Sequence, residues 1–444
     1  MTEREAGAAW WRPDRETAWW RPDREVSQAR GAGSPVPFGA LVAFTTILLL
    51  APQSVIPALK TLRIALFAAG VAILVHMFDS TSRRRPVVSS SPEIVMVLLL
   101  LSWAVASIPF AYWPGGAVAM ITDQYLKAIV FFWLIATLVT TRERLRTFAW
   151  ALALCSIPLA ATALVHFESG TYVTSGNAPV QRIAGLSGLT GNPNDLALTL
   201  NLLIPIAGVL LFTARGVAAR GLALSALILS VPAVIVTFSR AGFLTLSVIG
   251  LMSFVFFIKW RAPGPAAALL VVACGVIPLL PAGYIERLNT ITDIEADPTG
   301  SAQGRWADYR IAAQLVTQHP VMGAGVGQDI LALDRLRGRP TWRSVHNAFL
   351  EYAVDLGLPG ILLFLWLLAA SFRSARSVEI WSSRHQALGD LTIMASGVQV
   401  ALMAFVVAAC FHPIAYQFYF FCVAGLSVAL KNVYRTEVGL VRSR

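Results

Sequence analysis

The sequence predicts an all-α polytopic membrane protein of about twelve transmembrane helices. Both termini are expected in the cytoplasm, with a large helical loop on the outer side before the tenth span. Three observations carry this. Of 444 residues, 56% are hydrophobic and 13% charged, with a mean hydropathy of +0.66, whereas an average soluble domain is about 25% charged. Apolar runs recur at the length a bilayer requires. Arg-rich connections alternate with Arg-poor ones, the pattern of cytoplasmic and outer loops. Such a composition excludes an ordinary soluble enzyme and a disordered chain. The net charge of +11 comes from 31 Arg and 4 Lys against 24 acidic residues. In a membrane protein that surplus is a topology signal and says little about nucleic acid.

Residues 1–36 form a polar cytoplasmic tail, expected to be disordered, in which AWWRPDRE at 9–16 is repeated at 18–25. No apolar run follows closely enough for a signal peptide. Nine spans fill 37–281, near 38–52, 57–78, 93–111, 121–140, 147–166, 194–213, 221–237, 241–259 and 265–281. The outer loop takes 282–347. Three more spans lie near 348–371, 390–411 and 415–432, within 348–433, and 434–444 is a second cytoplasmic tail. Arg83–Arg85, Arg142, Arg144, Arg146, Arg215, Arg220, Lys259, Arg261, Arg373, Arg376 and Arg384 mark the cytoplasmic connections; Lys60 and Arg63 run against the pattern. The four cysteines lie in apolar runs without metal-ligand spacing and read as small hydrophobes.

The loop 282–347 has seven Arg and seven acidic residues, so it is near neutral, and a loop of that length is usually functional. In it, Gly304–Val321 has helical spacing of Trp306, Tyr309, Ala313 and Val316, which predicts a helix over the outer mouth. Asp293, Glu295 and Asp297 are spaced for a metal, but read better as a solvated face. Gly323, Gly325 and Gly327 resemble a nucleotide loop only superficially, because no strand precedes them, and read as a turn.

The chemistry-bearing candidates break the topology pattern. Arg240, in TFSRAGF, sits between two apolar spans with almost no loop, and an Arg at membrane depth is costly unless it has a function. Arg305 opens the loop helix, and Arg182 lies in another outer loop. Guanidiniums converging on one outer cavity would suit a pyrophosphate, because Arg binds phosphate oxygens bidentately. His346, where the long loop re-enters the membrane, can be a neutral base near pH 7. Asn192, Pro193, Asn194 and Asp195 form a helix start whose end attracts anions. Glu351 and Asp355, at i and i+4 after His346, could orient His346, hold a partner Arg, or simply pair with Arg side chains.

In order, TGNPNDLA, TFSRAG, GRWADYRIAAQLVTQHPVMGAGVG and HNAFLEYAVDLGLPG resemble the O-antigen ligase and polymerase superfamily, over roughly residues 180–370. Ligases of that superfamily carry His, then Asn, Ser or Gln, nine residues, Gly, two residues and a small residue. His346, Asn347, Gly357 and Gly360 match it. The resemblance implies a metal-independent membrane glycosyltransferase of the GT-C type, with no cofactor, in the bacterial inner membrane. Its donor would be a glycan on undecaprenyl pyrophosphate, and its acceptor a sugar hydroxyl of lipid A–core oligosaccharide at the periplasmic face. His346 would be the general base, with Arg240 and Arg305, by their position in the order of motifs, at the pyrophosphate; Arg182 is a third candidate for that role from its own place in the sequence. Asn347, Asn192, Asn194, Glu351 and Asp355 would support them. Direct attack would invert the donor carbon. A polysaccharide polymerase and a protein O-oligosaccharyltransferase of the same superfamily are alternatives. A lipid-linked glycan flippase also fits twelve spans, but transporters show internal repeats, and none is visible here.

Overall fold

A computed structural model describes residues 34–56, 58–82, 91–174, 181–185, 190–289 and 301–442. The AWWRPDRE repeat and Asp293, Glu295 and Asp297 lie outside the described residues. The described residues are mostly helical, with an antiparallel ribbon of β1 (Val173–Thr174) and β2 (Gln181–Arg182). The helices are α1 (Pro35–Leu50), α2 (Ala58–Thr61), α3 (Ile64–Ser82), α4 (Pro92–Ala106), α5 (Pro114–Met120), α6 (Leu126–Leu138), α7 (Arg142–Glu168), α8 (Pro193–Thr213) and α9 (Val217–Val236). They continue as α10 (Arg240–Lys259), α11 (Pro263–Val276), α12 (Tyr284–Asn289), α13 (Ser301–Gln318), α14 (Asp329–Arg337), α15 (Ala348–Ser382), α16 (Gly389–Ala409) and α17 (Phe418–Arg442).

Each of the twelve expected apolar segments is helical. Among the described residues, nine helices are long and apolar enough to cross a bilayer, while Pro35–Leu50 and Pro263–Val276 are shorter. The last helix, α17, is long but holds Lys431 and Asn432, both buried. The second expected span, 57–78, is displaced: α3 begins only at Ile64, after a break in which Arg63 takes φ 43°, and it runs to Ser82. His76 lies inside α3, ring to ring with Trp133. Among the cysteines, all unpaired in disulfides, Cys155 is buried but Cys274 is exposed.

Helix starts follow local chemistry. Ser91, Thr141, Asn192, Ser239 and Asn347 each accept a backbone N–H from the first turn of the helix they cap, satisfying amides that have no partner within the helix. The central helices are α8 and α16, with most of their residues enclosed by α7, α9, α10, α15 and α17. Since α7 runs from Arg142 to His166, it spans between the two ends of the bundle. At the Arg142 end, Arg142 pairs with Glu437 at 3.1 Å and Asp390 at 3.5 Å, Lys259 pairs with Glu379, and Lys431 lies 3.8 Å from Glu93.

At the other end α13 and α14 pack on the first part of α15. The helix expected over 304–321 is α13. Asp308, Ala312 and Leu315 are buried, whereas Trp306 and Ala313 are exposed. The cause is Asp308, drawn inward to pair with Arg337 at 2.6 Å and Arg343 at 3.2 Å, which offsets the cost of burying a carboxylate.

α15 is broken at Gly357, whose φ of 67° and ψ of −169° are not helical. Only a residue without Cβ fits: an added Cβ would lie 2.3 Å from the Val321 carbonyl oxygen. The backbone groups released by the break are all taken up. Ala324 N–H donates to Val354 O (2.7 Å), Gly325 N–H to Asp355 O (2.9 Å), Leu358 N–H to Pro320 O (2.7 Å), and the Trp103 indole to Leu356 O (2.9 Å). A kink inside a membrane helix needs such replacements. The His319–Gly325 turn is therefore part of the α15 break, and not a nucleotide loop.

Candidate active site

The end of the bundle opposite Arg142 gathers residues from five stretches of sequence. Asn194, in the first turn of α8, is the junction. Its Oδ1 accepts from the Arg182 guanidinium at 2.6 Å and from the Ser239 hydroxyl at 2.8 Å. Ser239 in turn caps α10, accepting the Gly242 N–H at 3.1 Å, so Arg240 is the first residue of that helix. Arg182 also donates to Thr237 O at 3.4 Å. One amide oxygen thus fixes Arg182 relative to Arg240. The expected Asn192 cap is present, accepting from Asn194 N–H at 2.8 Å. His166, at the end of α7, is 3.0 Å from Ala184 O and holds the Arg182 strand from behind.

The electrostatics show what else converges here. Burial presses the Arg182 guanidinium down to about 10, and Arg287, Arg305 and Arg240 press it in the same direction. Every charged neighbour that shifts Arg182 is a guanidinium, and it is still cationic at neutral pH. The three arginines singled out from the sequence therefore meet, and Arg287 of α12 joins them. Guanidiniums gathered in this way favour an anion of high charge density.

His346 stands beside this field. Burial holds its imidazole below the ordinary range; Arg305 and Arg343 push the same way, against the Ser344 carbonyl and Asp308. Nδ1 lies 2.8 Å from Ser344 O, which can only accept, so Nδ1 carries the proton. The ring is thus neutral near pH 7 with its Nε2 lone pair available. The backbone of His346 is left-handed, φ 46°, a conformation that costs a non-glycine residue about 1–3 kcal/mol. Its neighbours over-determine it. Val345 N–H donates to Asp329 at 3.1 Å, the Tyr309 hydroxyl reaches His346 O at 3.3 Å and Cys410 O at 3.1 Å, and Asn347 caps α15 through Phe349 N–H (3.0 Å) and Leu350 N–H (3.1 Å).

Glu351 and Asp355 touch neither an arginine nor His346, contrary to the options open from sequence. Asp355 accepts Gly327 N–H at 2.8 Å and Gln328 N–H at 3.0 Å. Glu351 accepts Ala415 N–H at 3.0 Å. With Asp329 they form a buried trio whose ligand oxygens lie within 4.8 Å of one another. That spacing would admit a cation, but each carboxylate is already accounted for as the anchor of a different loop. One holds the glycine turn, one the strand before His346, and one the α16–α17 connection.

Sequence reasoning missed four participants: Arg287, Asp308, Asp329 and His412. His412, in the α16–α17 connection, is 4% exposed, and burial lowers its pKa to about 4, with Arg305, His346 and Arg182 acting the same way.

These features define a multi-pass membrane protein with clustered arginines beside a neutral histidine. Residues 225–365, about a third of the chain, match the family described as O-antigen ligase. Members of the wider ligase and polymerase superfamily are membrane glycosyltransferase-like enzymes. The match includes Arg240, Arg287, Arg305 and His346, but not Arg182 or Asn194. Residues 28–176 match a second family, one of unknown function. No curated protein matches the chain significantly.

Proposed function

We propose that the protein is an O-antigen ligase. It transfers a glycan en bloc from undecaprenyl pyrophosphate to a sugar hydroxyl of lipid A–core, at the periplasmic face of the inner membrane. The observation that carries the reading is the juxtaposition of a neutral imidazole, Nε2 free, with an arginine cluster in which the charged neighbours press on Arg182 only as cations. The complete His346–Asn347…Gly357…Gly360 pattern favours the ligase over the polymerase.

In this mechanism Arg240, Arg305 and Arg182 hold the pyrophosphate, with Arg287 adding to the field. The acceptor hydroxyl attacks C1 of the first donor sugar while His346 Nε2 takes its proton. The C1–O bond to the pyrophosphate breaks, the bonding pair leaves with undecaprenyl pyrophosphate, and the donor carbon inverts. The arginines stabilise the charge that develops on the leaving oxygen, an effect that is strongest in preorganised sites.

The deciding experiment is a glycolipid gel of cells lacking the gene, with the undecaprenyl-linked pool measured alongside. Bare lipid A–core, with long polymer accumulating on undecaprenyl pyrophosphate, is the ligase result. Core carrying a single repeat unit would indicate a polymerase. An unchanged lipopolysaccharide ladder would transfer the reading to protein glycosylation or another polysaccharide.

Two variants test the clamp. Arg240→Lys keeps the charge but loses the fork; it should weaken donor binding by about 10–100-fold, the worth of a charged hydrogen bond. Wild-type donor affinity in this variant would remove Arg240 from the clamp. Asn194→Asp keeps an acceptor for Arg182 and Ser239 but adds a negative charge to the cluster. It should remain folded and bind the donor more weakly, with the deficit shrinking as salt rises; unchanged binding at low salt would show that the pyrophosphate lies elsewhere.

A further inference from the structure

His412, in the α16–α17 connection, has one ring nitrogen bonded and the other buried without a hydrogen-bond partner. Its Nδ1 lies 2.8 Å from Ala408 O, one turn back along α16. A carbonyl only accepts, so Nδ1 carries the proton and Nε2, on the far edge of the ring, carries a lone pair. That Nε2 is buried and has no hydrogen-bond partner. The ring is held in place through its own loop: Ala415 N–H donates to Glu351 at 3.0 Å, Ala415 O accepts from the Tyr352 hydroxyl, and Cys410 O accepts from Tyr309 at 3.1 Å. Its charged neighbours are Arg182 and Arg305 on one hand and His346 on the other.

A buried acceptor without a donor is costly, about 1–3 kcal/mol, and such groups are rare without a purpose. The missing partner cannot be a phosphate, whose oxygens are themselves acceptors at neutral pH. It must bring an O–H or N–H. In the reaction proposed above, one part of the substrates has to lie between the arginine clamp and the base. That part is the sugar being transferred, bonded through C1 to the pyrophosphate and attacked by the hydroxyl that His346 activates.

We infer that His412 is a sugar-binding residue, its Nε2 accepting a hydrogen bond from a hydroxyl or acetamido N–H on the first sugar of the donor. This deepens the ligase reading and rests on it. It makes His412 a selector of the donor glycan rather than of its lipid carrier. The arginines recognise what every polyprenyl-pyrophosphate donor shares, and His412 recognises what differs between them.

The test uses the full-length protein in nanodiscs and two probes: the lipid-linked glycan extracted from cells lacking the gene, and undecaprenyl pyrophosphate without sugar. His412→Asn can retain the donor to Ala408 O but removes the acceptor, whereas His412→Gln can place an amide oxygen near the position of Nε2. The Asn variant should raise the KM for the glycan-linked donor about tenfold, the worth of one hydrogen bond left unmade. The Gln variant should recover much of that loss, and both should bind the sugar-free lipid like wild type. Wild-type KM in His412→Asn, or an equal loss for the sugar-free lipid, would overturn the assignment. If neither variant folds, nitrogen NMR of the wild-type protein labelled in histidine decides: the His412 Nε2 signal should move with the glycan-linked donor and stay with the sugar-free lipid. A signal that ignores the sugar overturns the inference. Absence of any transfer by the wild-type protein would instead overturn the ligase reading, a distinguishable failure.

Discussion

His346→Ala should lower glycan transfer by about 10²–10⁴-fold, the usual contribution of a positioned base, while the protein still binds the donor. The geometry makes this expectation sharp. Ser344 O fixes the tautomer and Asp329 fixes the strand before the ring, so no other side chain inherits the position. The pH profile gives a second reading of the same residue. An imidazole whose pKa is lowered in the folded state is neutral, and competent as a base, at pH values where an ordinary histidine is protonated. The acid limb of kcat/KM should therefore fall below pH 6.5, the ordinary value. A limb above that pH, or an active alanine variant, would remove His346 from the chemistry. The linked stability effect has the same origin. Because the unfolded chain takes up the proton more readily, His346 subtracts stability as pH falls through about 6.5 and subtracts nothing well above it.

Gly357→Ala should be strongly destabilising. The left-handed backbone alone costs about 1–3 kcal/mol for a residue with Cβ. The new methyl would also meet Val321 O at 2.3 Å and Pro320 O at 2.7 Å, backbone atoms that cannot swing away. Relief requires separating the His319–Gly325 turn from α15, which breaks the hydrogen bonds of Ala324, Gly325 and Leu358 together. The expected results are a lower apparent melting temperature in detergent and a loss of transfer beyond what the unfolded fraction explains. A variant with wild-type stability would show that the break in α15 is not needed for folding. Gly208, where an added Cβ meets nothing within 4 Å, is the control, and its alanine variant should behave as wild type.

Much of this was legible in the sequence because of a few loud signals. Long apolar runs give the helices, and Asn192–Pro193 gives a helix start that the structure reproduces. Arg182, Arg240, Arg305 and His346 were visible because each is a polar residue where the pattern asked for none. The misses have equally physical causes. Arg287 and Asp308 belong to a loop whose charges sum to nothing, so neither stands out. Glu351 and Asp355 share a helical face, which the i, i+4 spacing shows, but their partners are backbone amides at 327, 328 and 415, and an amide leaves no trace in a sequence. The spacing of Trp306, Tyr309, Ala313 and Val316 gave the α13 helix but not the buried ion pair of Asp308 on its inner side. His412, in a short outer loop, looked like any satisfied polar residue until its ring nitrogens could be counted.

The anchoring of Ala415 on both faces of its peptide has a consequence for how the protein is made. Glu351 and Tyr352 leave the ribosome some sixty residues before Ala415 does. Until then the start of α15 holds a carboxylate and a phenol with neither its acceptor nor its donor, next to the strand that carries His346. The chain can insert its first ten apolar helices and still have no rigid site. The α16–α17 connection closes it, so activity waits until that helix pair is in the bilayer. Premature termination anywhere before residue 415 would leave an inert membrane protein rather than a weakly active one.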